Sequence, residues 1–148
     1  MSESLQSSIQ EITPSEWELM RIVWTKGKLY SRELIDLLQA KRSWSDSTIK
    51  TLLRRLVKKG LLTTEKQDRR FLYTATISES DAMNGSAEQL FDHLCAMKKG
   101  ATLLNLVEHV TLTQTDIEKL QAALSEKAKT APNEVSCDCL PNGEQCDV

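Results

Sequence analysis

One stretch, residues 44–60, reads WSDSTIKTLLRRLVKKG, and it limits what the rest of the chain can become. Ile49, Leu52, Leu53, Leu56 and Val57 recur at steps of three and four, which places them in one apolar stripe on a helix. Ser45 is a good N-cap, Trp44 before it can staple onto Ile49, and Gly60 suits the residue after the last turn. The opposite face carries Lys50, Arg54, Arg55, Lys58 and Lys59, with Ser47, Thr48 and Thr51 near the start. A short helix with one apolar and one basic, hydroxyl-rich face is dimensioned for a DNA major groove.

The flanking segments decide whether that helix is a reader or only a charged surface. Upstream, Thr13-Pro14-Ser15-Glu16 combines a capping box with proline in the first turn, and Ile12 can staple to Trp17. Trp17, Met20, Val23 and Trp24 continue a helical stripe as core candidates, and Gly27 ends it. Leu29-Tyr30 is a short connector with room for one strand bridge. Ser31 is placed to cap a second helix with Leu34, Ile35 and Leu38 inward, and a turn at residues 39–42 leads into the basic helix. Two helices joined by a short turn, the basic one second, make a helix-turn-helix.

After Gly60 the period changes from helical to alternating. Residues 62–66 and 71–75 read as two strands around the polar turn Gln67-Asp68-Arg69-Arg70. Three helices and a basic-tipped hairpin make a winged helix, in which Arg69 and Arg70 would reach phosphates or the minor groove. The charge distribution agrees. The whole chain carries a net −2, but residues 31–75 hold 11 Lys+Arg against 5 Asp+Glu, a net +6, and the remainder a net −8. A basic middle between acidic flanks attracts phosphate locally.

From residue 78 the pattern is helical again. Met83, Ala87, Leu90, Phe91 and Leu94 form one stripe ending before Gly100, and Leu103, Leu106, Val107 and Val110 form a second. A third helix begins at Thr113-Gln114-Thr115-Asp116, with Leu112 stapling to Ile117 and with Leu120 and Leu124 inward. These helices are too few for a core of their own, so their apolar faces are expected to meet those of a second subunit, although folding back on the winged helix is the alternative. A symmetric homodimer also suits two half-sites of palindromic DNA.

The last twelve residues, CDCLPNGEQCDV, follow a polar linker. They place Cys137, Cys139 and Cys146 around a Pro141-Asn142-Gly143 turn. Clustered thiols beside a turn favour a soft metal. Cu(I) is satisfied by two or three thiolates, whereas Zn(II) wants four ligands. Zinc would therefore need a carboxylate (Asp138, Glu144, Asp147 or the terminus) or a sulfur from a partner tail. Cys95, beside the fourth helix's stripe, is expected to be buried packing, and His93 and His109 to be structural.

The segments ITPSEWELMRIVW, WSDSTIKTLLRRLVKKGLL and RRFLYTA together resemble the penicillinase-repressor family of winged-helix transcriptional repressors, from about Ile12 to Leu124. The tail is similar to that of its copper-responsive branch, the CopY/CopR-type repressors of copper-efflux operons. That branch's pattern is Cys-x-Cys-x4-Cys-x-Cys. Cys137, Cys139 and Cys146 match its first, second and fourth cysteines, and Glu144 stands at the third. The resemblance implies a homodimer on palindromic operator DNA, Cu(I) as inducer, Zn(II) on the same thiols in the repressing state, and a copper chaperone as metal donor. The family's antibiotic-resistance branch is released by proteolysis after an Asn; here Leu106 follows Asn105 where that branch has Phe.

The expected fold is mostly α with a small β-hairpin: an N-terminal arm (1–11), a winged helix-turn-helix (12–77), a helical dimerisation region (78–128) and a flexible linker and Cys-rich tail (129–148). Ser47, Thr48, Lys50, Thr51, Arg54, Lys58, Arg69 and Arg70 are the candidate DNA contacts, and Cys137, Cys139 and Cys146 the candidate metal ligands. Neither a signal peptide nor an apolar run of membrane length is present, which points to the cytoplasm. No phosphate loop, nucleophile–base pair or paired catalytic carboxylates suggest an enzyme. A metal-binding interaction module without specific DNA binding is the competing class.

Overall fold

The computed structural model describes residues 12–146. The arm at 1–11 and Asp147 lie outside the described residues. Two compact units divide between Gln89 and Leu90.

In the first unit, α1 (Pro14–Lys26) starts as its sequence dictates. The Thr13 hydroxyl accepts the Glu16 N–H at 3.2 Å, and the Glu16 carboxylate accepts the Thr13 N–H at 2.9 Å. Gly27 ends the helix at φ 88°, a conformation that resists a Cβ. Strand β1 (Lys28–Tyr30) runs directly into α2 (Ser31–Lys41). The cap position of α2 is Tyr30, not Ser31; its N–H is donated to the Glu33 carboxylate at 3.0 Å. Because α2 continues to Lys41, the turn before the next helix occupies residues 42–45, three residues later than the sequence suggests. Helix α3 (Asp46–Lys58) is capped by the Ser45 hydroxyl, which accepts the Thr48 N–H at 3.2 Å. Beyond it Gly60 takes φ 81°.

The wing is β2 (Leu62–Gln67) and β3 (Arg70–Ala75), paired antiparallel from Leu62↔Ala75 to Gln67↔Arg70. Leu29 of β1 faces Tyr73 of β3, so the sheet has three strands in the order β1-β3-β2. The residues at 28–30 thus form a full edge strand rather than a single bridge.

The core collects Leu19, Met20 and Val23 from α1, Leu34, Ile35 and Leu38 from α2, and Ile49, Leu52, Leu53 and Leu56 from α3, closed by Leu29, Leu61 and Leu62. Each helix gives the stripe its periodicity predicts. Two details of α1 differ. Trp17 is half-buried and tilts against Trp24, ring centroids 5.8 Å apart, while Leu19 is buried in its place. Trp24 satisfies its indole N–H on the Ile77 carbonyl at 2.9 Å. Glu16, besides capping, is fully buried and pairs with Lys59 Nζ at 2.7 Å. That contact ties the start of α1 to the end of α3.

Helix α4 (Glu79–Asp92) buries the small residues Ala82 and Gly85, whereas Met83 and Leu90 of the expected stripe are 57% and 59% exposed. The second unit then contains a 3₁₀ turn (Ala96–Lys98), α5 (Lys99–His109) and α6 (Gln114–Ala128). Gly100 lies inside the first turn of α5 rather than between helices. Thr113 and Asp116 close a capping box on α6, 3.0 and 3.1 Å. Leu103, Leu104, Leu106, Val107 and Val110, with Ile117, Leu120 and Leu124, are between 41% and 63% exposed. Apolar area on that scale is uncommon on a free surface. Among the described residues, no helix is long and apolar enough to cross a membrane.

Candidate nucleic-acid interface and thiol cluster

Helix α3 buries one face completely, which forces the other outward. Ser47, Thr48, Lys50, Arg54 and Lys58 are exposed and Thr51 half-exposed, spaced so that they share one side of the helix. Local hydrogen bonds order this face. The Ser45 hydroxyl lies 3.0 Å from the hydroxyls of both Ser47 and Thr48. Thr51 donates to the Ser47 carbonyl at 2.9 Å, and Arg54 donates to the Thr51 hydroxyl at 3.3 Å. The guanidinium of Arg54 is therefore aimed before any ligand arrives.

The turn into α3 is also braced. Gln39 Nε2 donates to Asp46 Oδ1 at 2.7 Å and to the Trp44 carbonyl at 3.2 Å, and Arg32 lies 3.4 Å from Asp46 Oδ2. The Gln39 amide, and after it the Arg32 guanidinium, hold the Asp46 carboxyl below the usual range, so it stays ionised at the positive end of the helix. Arg42, at the end of α2, is paired with Glu18 of α1. The angle between α2 and α3 is thus fixed by polar contacts on its outer side as well as by the core.

At the wing the two arginines are not equivalent. Asp68 and Arg69 form the tip, Asp68 at φ 59°, and Arg69 is exposed there. Arg70 begins β3, and its guanidinium stacks on the Tyr30 ring, 3.6 Å from the centroid. The Tyr30 hydroxyl donates to Gln67 Oε1 at 2.8 Å. Tyr30 drew no attention in the sequence because its partners lie some 40 residues away.

In the second unit the tail folds into a cluster of four thiols. Cys137 Sγ is 3.1 Å from Cys146 Sγ. Cys95 Sγ is 3.8 Å from Cys137 Sγ and 3.7 Å from Cys146 Sγ. With Cys139, all four sulfurs lie within 4.8 Å of one another. The expectation that Cys95 is buried packing is corrected: it is half-exposed, beside the 3₁₀ turn, and faces the tail thiols. Its position next to an apolar stripe hid this.

The cluster is built rather than accidental. Gln145 Oε1 accepts the Cys137 N–H at 2.8 Å, Asp138 Oδ1 accepts the Ala96 N–H at 2.9 Å, and Cys137 Sγ accepts the Cys139 N–H at 3.3 Å. Gly143, at φ 80°, turns Cys146 back toward the pair. The Cys146 thiol and the Cys139 N–H push Cys137 down to about 6. The hydrogen bond each makes with Cys137 in turn pushes Cys139 up to about 12 and raises Cys146. Cys137 is thus the most acidic of the tail thiols. Asp138 is engaged with the Ala96 backbone, and the Glu144 N–H is donated to its neighbour Asn142 at 3.2 Å. His93 and His109 stand outside the cluster, and His109 Nδ1 lies 2.8 Å from the Asn105 carbonyl. The Asn105-Leu106 pair lies within α5.

Residues 12–126 match the family described as penicillinase repressor. An uncharacterized 16.5 kDa protein from the ptsI 3′ region of Latilactobacillus sakei is 59% identical over 143 residues, covering 97% of this chain and 98% of that protein. The methicillin resistance regulatory protein MecI of Mammaliicoccus sciuri is 32% identical over 123 residues, covering 83% of this chain and all of that protein. The solution structure of the DNA binding domain of the repressor BlaI is 41% identical over 49% of this chain and 89% of its own, with a TM-score of 0.47.

Proposed function

Because the chain belongs to the penicillinase repressor family, we propose that it is a homodimeric, copper-responsive transcriptional repressor, released from a palindromic operator when Cu(I) binds its cysteines. The observation that carries the metal half of this reading is the gathering of the tail thiols within 4.8 Å. Thiolates select soft, monovalent copper, which is satisfied by two or three of them. The exposed apolar faces of α5 and α6 supply the dimer contact.

On DNA, α3 enters the major groove. Lys50, Thr51 and Arg54 approach base edges, and Ser47 and Thr48 meet bases or the adjacent phosphate. Lys58, Arg69 and Arg70 neutralise phosphates. Arg54→Ala is expected to cost about 1–3 kcal/mol at one operator position and to relax sequence preference there. Arg69→Ala should weaken all duplexes alike and flatten the salt dependence by about one counterion. Binding isotherms on operator and random duplexes over a salt series separate the two; equal losses for both variants on both DNAs refute this division.

Induction requires Cu(I) to favour the DNA-free form. Couplings of ~1–3 kcal/mol, a 5–150-fold change in affinity, switch an operator that is occupied near its midpoint. The deciding experiment titrates Cu(I) and Zn(II) separately into the complex with a palindromic operator, reading DNA release and bound metal together. Release by copper alone is expected. Retention through a full complement of bound Cu(I) overturns the reading.

A further inference from the structure

Resting on the metal-sensing role just proposed, we infer that Cys95 is the fourth ligand of a four-sulfur Zn(II) site, supplied from outside the tail where Glu144 leaves the tail one thiol short. A regular tetrahedron of sulfurs around zinc, with Zn–S ≈ 2.3 Å, has edges of about 3.8 Å. The two separations from Cys95, 3.8 and 3.7 Å, already have that length. The 3.1 Å edge between Cys137 and Cys146 needs to open by several tenths of an ångström. As zinc binds, each sulfur still protonated gives its proton to solvent and takes up the metal.

The placement of Cys95 has a mechanical result. The chain between Cys95 and Cys137 contains all of α5 and α6. Zinc on all four sulfurs therefore closes a loop around the two helices whose apolar faces await a partner, and restricts the conformations they sample. Cu(I), content with two or three sulfurs, can be held by the tail alone and leave Cys95 out. The two metals then differ in whether the loop is closed, not only in which thiols they occupy. That difference is one that a dimeric DNA reader can sense.

The test uses the full-length reduced protein without DNA, so its outcome is independent of whether copper releases an operator. Co(II) is the spectroscopic probe for zinc. The wild-type chain is expected to bind one Co(II) per chain with tetrahedral four-thiolate bands. Cys95→Ser should lose about a quarter of the thiolate charge-transfer intensity, and its Zn(II) affinity should fall roughly 100-fold or more, beyond the range seen when only a supporting residue is lost. Glu144→Gln should change neither. Zinc should also slow alkylation of Cys95 in the wild-type chain, a reading that needs no variant to fold. An unchanged Co(II) spectrum in Cys95→Ser, one metal shared between two chains, or Cys95 alkylated equally fast with and without zinc overturns the inference.

Discussion

Replacing Glu16 by alanine is expected to destabilise the winged helix by about 3 kcal/mol, near the lower end of the ~3–5 kcal/mol seen when one partner of a buried pair is removed. The lower end applies because Lys59 keeps 18% of its side chain in contact with solvent and can be partly hydrated. The change also removes the reciprocal half of the α1 capping box. Glu16→Gln retains an acceptor for the Thr13 N–H and lacks only the charge, so it should cost less. Denaturant midpoints of the two variants divide the effect between ion pair and cap. The same carboxylate makes stability depend on pH. Burial pushes its proton affinity up, but the Lys59 ammonium and the Thr13 N–H outweigh it and hold it below the usual range. A depressed carboxyl stabilises the fold above its unfolded value of ~4.3 and loses that contribution as pH falls through the folded one. Thermal unfolding followed from pH 7 down to pH 3 should show a fall in the wild type that is shallower in Glu16→Gln.

Exchanging Cys137, Cys139 and Cys146 together for serine is expected to abolish the copper response completely while leaving operator affinity near wild type. The side chains proposed to meet DNA belong to the first unit and the thiols to the second, and serine preserves the shape of each site. Against a wild-type release of 5–150-fold, the variant should show none. Operator occupancy measured by anisotropy under Cu(I) titration reads this directly. Copper-driven release by the serine variant would place the sensor elsewhere.

The reading of residues 12–77 from sequence succeeded where the determinants are local. Thr13 with Glu16, Ser45 with Thr48, and the stripes of α1 to α3 are set within a few residues, and periodicity records them. What went unread was long-range. Glu16 looks like a surface cap until Lys59, 43 residues on, is brought to it. Ser31 looks like a cap because serine usually is one, but β1 pairs with β3 through Tyr30, which takes the cap position, and the helix starts one residue earlier, at Ser31 itself. Cys95 beside a leucine resembles a packing thiol, and only the folded tail, 42 residues downstream, reveals its neighbours. The apolar stripes of α4 to α6 were legible as stripes.

The contact of Tyr30 with the wing carries a consequence for how DNA is tolerated. Tyr30 stands on the edge strand, yet it reaches Arg70 on the central strand and Gln67 on the far one. A single ring thus bolts the tip end of the hairpin across the whole width of the sheet. The hairpin tip, and Arg70 with it, is thereby held to the edge strand beside α2. On DNA bound as proposed, a wing stiffened in this way should disfavour duplexes whose backbone spacing does not match it, even when every contacted base is correct.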